Sequence, residues 1–412
     1  MTEVLGGPDV VLTDAQVAEF VTEVLADVDA RSVLLVVPDG TRTAPVPLVV
    51  DAVSRALAGR ARLTVLVALG THQPMDDAAL GRLLGRPVEA LRAAGTQVLN
   101  HAWSDPATFA DLGTLPAEEV AELSGGRLRQ EVPVRINRLV LEHDLVLLAG
   151  PVFPHEVVGF SGGNKYLFPG IGGQEIIDLS HWLGALISSV EIIGTLGTTP
   201  VRALIDRAAS LVPTPRRCLA LVVTTGRPQL HAVCWGTPEQ AWAAAAHVSA
   251  QVHVTRLDRA YDRVVAVLPE MYADVWTAAK GMYKLEPVVA DGGELLLYAP
   301  HVREFSVTHG AQLAEIGYHC RDYFLGQWDR FGHHPGGVLA HSTHLRGAGT
   351  WDAETGEHPR VRVVLATGIS EQRVRAHALE HRDPAGVDLD ALRADPDVLV
   401  VERAGEVLHR LA

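Results

Sequence analysis

Three cysteines in 412 residues give this chain little covalent or metal-binding sulfur. Cys218, Cys234 and Cys320 are odd in number and far apart, which excludes a disulfide framework and a paired-cysteine zinc site and leaves them as buried small hydrophobes. Long apolar runs are missing as well, since none approaches the ~18 residues needed to span a bilayer. The opening MTEVLGGPDVVLTDAQ lacks a basic segment followed by an apolar core, so no secretory signal is expected and a cytoplasmic location is. Positive charge is in deficit: 35 Lys and Arg against 49 Asp and Glu leave a net charge of -14. That balance argues against a nucleic-acid partner and against an anionic membrane surface. No repeat of fixed period and no low-complexity linker interrupts the chain.

What is present is ordinary for a soluble globular protein, with 48% hydrophobic and 20% charged residues. The length predicts two domains. Short Val/Leu runs at 32–38, 62–70, 144–150 and 218–225 are continuously apolar rather than alternating, as strands covered on both faces are. Alanine-rich stretches between them read as helices, one of them opening on Thr237 as cap with Pro238 at its first position. A second series follows, with runs beginning at Arg263, at 293–301, at 361–368 and at 398–401. The expected fold is α/β, with two α/β domains, mostly parallel sheets and an interdomain active-site cleft. Residues 1–262 form the N-terminal domain in this reading and 263–394 the C-terminal one, and the tail 395–412 can return to pack on the N-terminal domain.

Ionisable residues follow the strands. Asp39, Thr41 and Arg42 come after the first run, His72 after the second and His155 after the third. Ligands of open parallel sheets bind outside the carboxyl ends of the strands, so three loops deliver these groups to one edge. Between Pro154 and His181 the chain also holds Lys165 beside Gly162, Gly163 and Asn164, where small neighbours leave room for a ligand to approach. A phosphate-binding P-loop reading fails, because Asn164 and Tyr166 stand where Gly and Ser or Thr are required. His181 follows a helix running from about Gly172. Arg42 and Lys280 are candidate anion holders. His333, His334, His341 and His344 have ligand-like spacing, but without a helical HExxH context they read as loop histidines rather than zinc ligands.

Asp39, Thr41, Arg42, His72, His155, the Ser161–Lys165 loop, His181 and Lys280-Gly281 together resemble the lactate racemase family of nickel-pincer nucleotide enzymes. The resemblance runs over about residues 30–370 and is strongest between 150 and 182. It implies an isomerase, a racemase or epimerase that inverts C2 of a 2-hydroxy acid by proton-coupled hydride transfer. The cofactor it implies is the pyridinium-3-thioamide-5-thiocarboxylic acid mononucleotide with nickel, attached covalently through Lys165, with His181 as the protein's nickel ligand. By the same resemblance His72 and His155 are the acid/base pair, and Asp39, Thr41, Gly162 and Gly163 contact the cofactor. Arg42, Lys280, Trp276 and Thr277 line the substrate, and cofactor-maturation enzymes are partners. Lactate racemases carry tyrosine and glutamine where this chain has Trp276 and Thr277, which favours a larger 2-hydroxy acid, such as a sugar acid, over lactate. Two alternatives stand beside this reading: a zinc-dependent hydrolase, and a non-catalytic two-domain protein that binds a carboxylate.

Overall fold

The computed structural model describes residues 2–412 and divides into two compact units. The first comprises residues up to 153, 160–177 and 196–252. Its centre is a seven-stranded sheet of β1 (Glu3–Gly6), β2 (Ser32–Pro38), β3 (Arg62–Ala68), β4 (Gln97–Asn100), β5 (Leu145–Pro151), β6 (Arg216–Val223) and β7 (Leu230–Gly236), in the order β1-β7-β6-β5-β2-β3-β4. The five strands from β6 to β4 are parallel, whereas β7 pairs antiparallel with both β6 and β1. Every residue of β2 and β5 is buried, which is why these segments are continuously apolar. The chain steps outward from β2 to β3 and β4, then returns to β5 on the other side of β2. That reversal makes the carboxyl ends of β2 and β5 a topological switch point, where an open α/β sheet leaves a crevice.

Four helices carry or brace the candidate residues. They are α1 (Gln174–Ile187), α2 (Pro200–Ser210), α3 (Pro238–Val252) and α4 (Gly336–Arg346). Helix α2 starts at Thr199, whose side chain accepts from the Arg202 amide at 3.1 Å. Helix α3 starts as its sequence predicts, with Thr237 Oγ1 accepting from the Gln240 amide at 3.3 Å.

The second unit comprises residues 154–159, 178–195 and 253–412. It is built on a parallel five-stranded sheet of β8 (Tyr261–Val267), β9 (Val289–Ala299), β10 (Arg362–Thr367), β11 (Glu380–His381) and β12 (Val398–Val401), ordered β11-β10-β9-β8-β12. The expected boundary at 262/263 falls instead at 252/253, and two short segments from the middle of the chain join this unit. The tail does not belong to the first unit. Val398–Val401 completes the second sheet beside β8, and Leu408–Leu411 pairs in parallel with Val254–Leu257. All three cysteines are buried, as expected. Among the described residues no helix is long and apolar enough to cross a membrane.

Candidate active site

The loop after β2 gathers on one buried carboxylate. Asp39 accepts from the Thr41 amide at 3.1 Å and the Thr41 hydroxyl at 2.7 Å through Oδ1, and its Oδ2 lies 2.5 Å from His72 Nδ1. Burial pushes the Asp39 carboxyl upward, but His72 and the two Thr41 donors outweigh it and hold the group well below the ordinary carboxylate range. Asp39 is therefore ionised at neutral pH and orders His72 with its proton on Nδ1, leaving the Nε2 lone pair to accept another. The His72 backbone is fixed as well: its amide donates to Leu69 O at 2.8 Å and its carbonyl accepts from Trp103 Nε1 at 2.8 Å.

The segment carrying Lys165 is tied to the same edge. The Gly70 amide, in the loop after β3, donates to Gly170 O at 2.9 Å, and the Tyr166 hydroxyl donates to Pro151 O at the end of β5. Burial pushes the Tyr166 phenol well above its ordinary range, and the nearby Arg42 offsets only part of that rise, so the hydroxyl stays protonated. The glycines before Lys165 do not serve the purpose their sequence suggested. Gly162 and Gly163 have φ of +87° and +60°, and a Cβ on them would meet the Val152 and Trp242 side chains. A left-handed turn packed tightly on protein needs them, and in the direction of the missing Cβ each faces protein atoms.

Beneath this loop lies a network that sequence reasoning missed. Arg202 is 1% exposed, donates to Gly162 O at 3.0 Å and Phe160 O at 2.5 Å, and stacks over Trp242 at 4.1 Å. Burial pushes its guanidinium down to about 10, so it stays charged at neutral pH. Asn164 donates through Nδ2 to Asp206 Oδ1 at 3.0 Å and Glu239 Oε1 at 2.6 Å. The signal for Arg202 was present in α2, where it shares a helical stripe with the buried Val201, Leu204, Ile205 and Ala208.

The remaining predicted residues lie in the second unit. His155 is buried, and its Nδ1 accepts from the Val157 amide at 3.1 Å and lies 3.2 Å from a Glu156 carboxylate oxygen. The ring thus has a partner in either protonation state, the amide for a bare Nδ1 and the carboxylate for a protonated one. His181 sits within α1 rather than after it, and three residues earlier on that helix Asp178 accepts from the Gly337 amide of α4 at 2.9 Å. Lys280 is buried, with its ammonium 4.7 Å from the Tyr272 ring centroid. The Thr277 hydroxyl is engaged locally, donating to Asp274, which caps the short helix Val275–Ala278.

Trp276 packs against two imidazoles, with ring centroids 4.0 Å from His341 and 4.5 Å from His309. The Tyr318 hydroxyl lies 3.3 Å from His341 Nε2. His341 and His344 are therefore not loop histidines but buried residues of α4, and burial holds both rings well below the ordinary histidine range. The Gly336-Gly337 start after Pro335 disguises this helix in the sequence. Among the described residues no three His, Cys, Asp or Glu side chains gather as a metal site. A metal held through His181 would need further donors from a bound group.

Residues 18–193 match the model of the lactate racemase N-terminal domain. Over 154 residues the chain is 28% identical to the lactate racemase of Lactiplantibacillus plantarum, covering 37% of this chain and 32% of that protein. Over 175 residues it is 27% identical to the lactate racemase of Thermoanaerobacterium thermosaccharolyticum, covering 42% and 37%. The matches thus span about a third of the length of these curated relatives. A crystal structure of a Thermotoga maritima protein superposes with a TM-score of 0.91 and 33% identity, over 99% of this chain and 100% of that one. The lactate racemase apoprotein from T. thermosaccharolyticum shares the fold, at a TM-score of 0.74 and 17% identity, over 97% and 93%.

Proposed function

Because the chain belongs to the lactate racemase family through its N-terminal domain, we propose that it is a racemase or epimerase inverting C2 of a 2-hydroxy acid. The observation that carries this reading is the ionised Asp39 ordering His72 at a sheet switch point to which the Lys165 loop is also tied. Lys165 is the covalent anchor of a nickel-pincer nucleotide in this proposal, and His181 is its protein ligand to nickel. The residues present fit such a group, since a lone histidine suits a metal whose other donors arrive with an organic ligand, and no rival protein ligand set forms among the described residues. When bound, the group supplies a centre that accepts the α-hydrogen with its electron pair.

The chain's own residues handle the proton and the charge. His72 takes the substrate hydroxyl proton on Nε2, with Asp39 stabilising the imidazolium that results. His155 serves the opposite configuration, and Glu156 supports its protonated ring. Arg42 and Lys280 neutralise the carboxylate. Asp39 and Thr41, with the Gly162 and Gly163 backbone, position the nucleotide. A hydroxylated substrate larger than lactate suits Trp276, whose flanking His309 and His341 bring ring nitrogens able to pair with hydroxyls. The maturation enzymes that build and attach the cofactor are partners, and protein made without them is inactive.

The test is to co-produce the chain with those enzymes and incubate it with paired enantiomers or epimers of lactate, glycerate and gluconate, read by chiral chromatography. Inversion at C2 is expected, together with a lysine-linked mass adduct that Lys165→Ala abolishes. Adduct-bearing protein that inverts no member of a broad hydroxy-acid panel sinks the proposal.

A further inference from the structure

Lysine occurs only three times in the chain, at positions 165, 280 and 284, against 32 arginines. Two of the three, Lys280 and Lys284, lie one turn apart on the short helix Lys280–Leu285, and both are buried. The Lys280 ammonium sits over an aromatic ring, 4.7 Å from the Tyr272 centroid, and that ring is 1% exposed and fixed from several sides. The Tyr272 amide donates to Pro269 O at 3.1 Å, and the Tyr272 carbonyl accepts from His301 Nε2 at 3.1 Å. Gly405 lies at the phenol edge with φ of +121°, so close that a Cβ there would stand 2.6 Å from the Tyr272 hydroxyl oxygen. The loop is pinned on both sides of that glycine. The Ala404 amide donates to Val267 O, at the end of β8, at 2.9 Å, and Lys284 Nζ donates to Glu406 O at 3.0 Å.

We propose that Tyr272 is a positioning residue, holding the Lys280 ammonium in place for the substrate carboxylate, and that the 404–406 loop in turn holds Tyr272. The proposal rests on the reading of Lys280 as a carboxylate holder in the racemase reaction. A lysine ammonium is a compact charge on a flexible four-carbon stem, so it meets a carboxylate in one geometry only when something else fixes it. An acidic side chain would fix it by cancelling the charge that the substrate needs. The face of an aromatic ring attracts the cation through its quadrupole and leaves that charge in force. Lys284 serves the same end from the other side, since its bond to the Glu406 carbonyl keeps Gly405 against the phenol edge. The absence of a Cβ at Gly405 is what lets the loop approach the ring so closely.

Labelling the full chain with [ε-¹³C]lysine gives three side-chain signals, assigned by the loss of one in Lys165→Arg and of another in Lys280→Arg. The Lys280 methylene protons are expected upfield, as protons over a ring face are, to move downfield in Tyr272→Leu and to hold their place in Tyr272→Phe. In the matured enzyme Tyr272→Leu should raise KM for the inverted hydroxy acid about 2- to 30-fold, the range for a cation–π contact from exposed to desolvated. Turnover should stay within about two-fold, because a carboxylate held equally in ground and transition states affects KM alone, and Tyr272→Phe should restore KM. A residue that only supports the fold would lower the active fraction, and with it kcat. Gly405→Ala pushes on the ring from its phenol edge and should raise KM in the same way, so it decides where Tyr272→Leu does not fold. A Lys280 signal that ignores Tyr272→Leu, or an unmoved KM in an enzyme that inverts its substrate, overturns the proposal and leaves the racemase reading standing. Adduct-bearing wild-type protein that inverts no hydroxy acid overturns both.

Discussion

Replacing Arg202 with methionine isolates what holds the Lys165 loop. Met fills much of the space but removes two charged donors from Gly162 O and Phe160 O, the stack over Trp242, and the cation beside Asp206. Each lost bond from a charged donor costs about 1.5–3 kcal/mol and the buried cation–π contact about 2, against which the added apolar burial recovers part. The net expectation is about 4 kcal/mol, within the range for breaking a buried ionic arrangement by removing one partner. The loss also carries a pH signature. Burial already raises the Asp206 carboxyl, and Arg202 opposes that rise. Without Arg202 the folded-state value climbs further above the unfolded one. A carboxyl raised in this way loses stabilisation as pH rises from its unfolded value toward its folded one, so the variant should be hurt more at about pH 8 than at about pH 5. Urea unfolding at both pH values gives the magnitude. Hydrogen exchange at the Lys165 and Leu167 amides, which bond to Gly162 O and Asn164 O, reports whether the loop itself opens. Destabilisation below about 1 kcal/mol, or equal loss at both pH values with unchanged loop protection, refutes the reasoning.

Two other perturbations test the two units separately. Asp39→Asn should lower turnover of the matured enzyme about 100- to 10,000-fold with little change in KM, because the amide neither fixes the His72 tautomer nor stabilises its imidazolium; a loss under about ten-fold in steady-state inversion assays contradicts the role given to the pair. In the second unit, His341 and His344 are held neutral by burial, His344 at about 3. The unfolded chain binds protons there below about pH 6.5 and the folded chain does not, so stability present above that pH falls by up to about 1.4 kcal/mol per pH unit per histidine on acidification. His344→Gln should make the acid limb of a stability–pH curve shallower by one histidine's share, and an unchanged slope denies that His344 is desolvated.

Parallel strands were the most legible part of the chain. Ser32–Pro38 is a seven-residue apolar run because both of its faces are covered, and no amphipathic helix has that pattern. Short edge strands escaped detection: Glu3–Gly6 is mostly exposed and acquires strand geometry only by pairing with Leu230–Gly236. The pairing of Asp39 with His72 was readable, since each follows a strand on the way out of the sheet, whereas His155, expected on the same edge, falls in the second unit. The partners that tune them were not. Asp206 and Glu239 lie 42 and 75 residues beyond Asn164 in the chain, and no local spacing announces that one amide will bond both.

The lysine loop also shows why glycine content misled. A glycine with positive φ beside a functional residue suggests access, yet here the missing Cβ makes room for Val152 and Trp242. Protein atoms pack against the loop where side chains would have been, and Arg202 and Asn164 anchor it from within, so its shape is set before any group reaches Lys165. An anchor that is already ordered need not lose further conformational freedom when it is modified, which favours attachment at this lysine over one on a flexible surface segment. If Lys165 is the anchor proposed above, the glycines serve it through rigidity rather than openness. By the same logic the chain places a buried cation, costly to desolvate, under a loop that must not move.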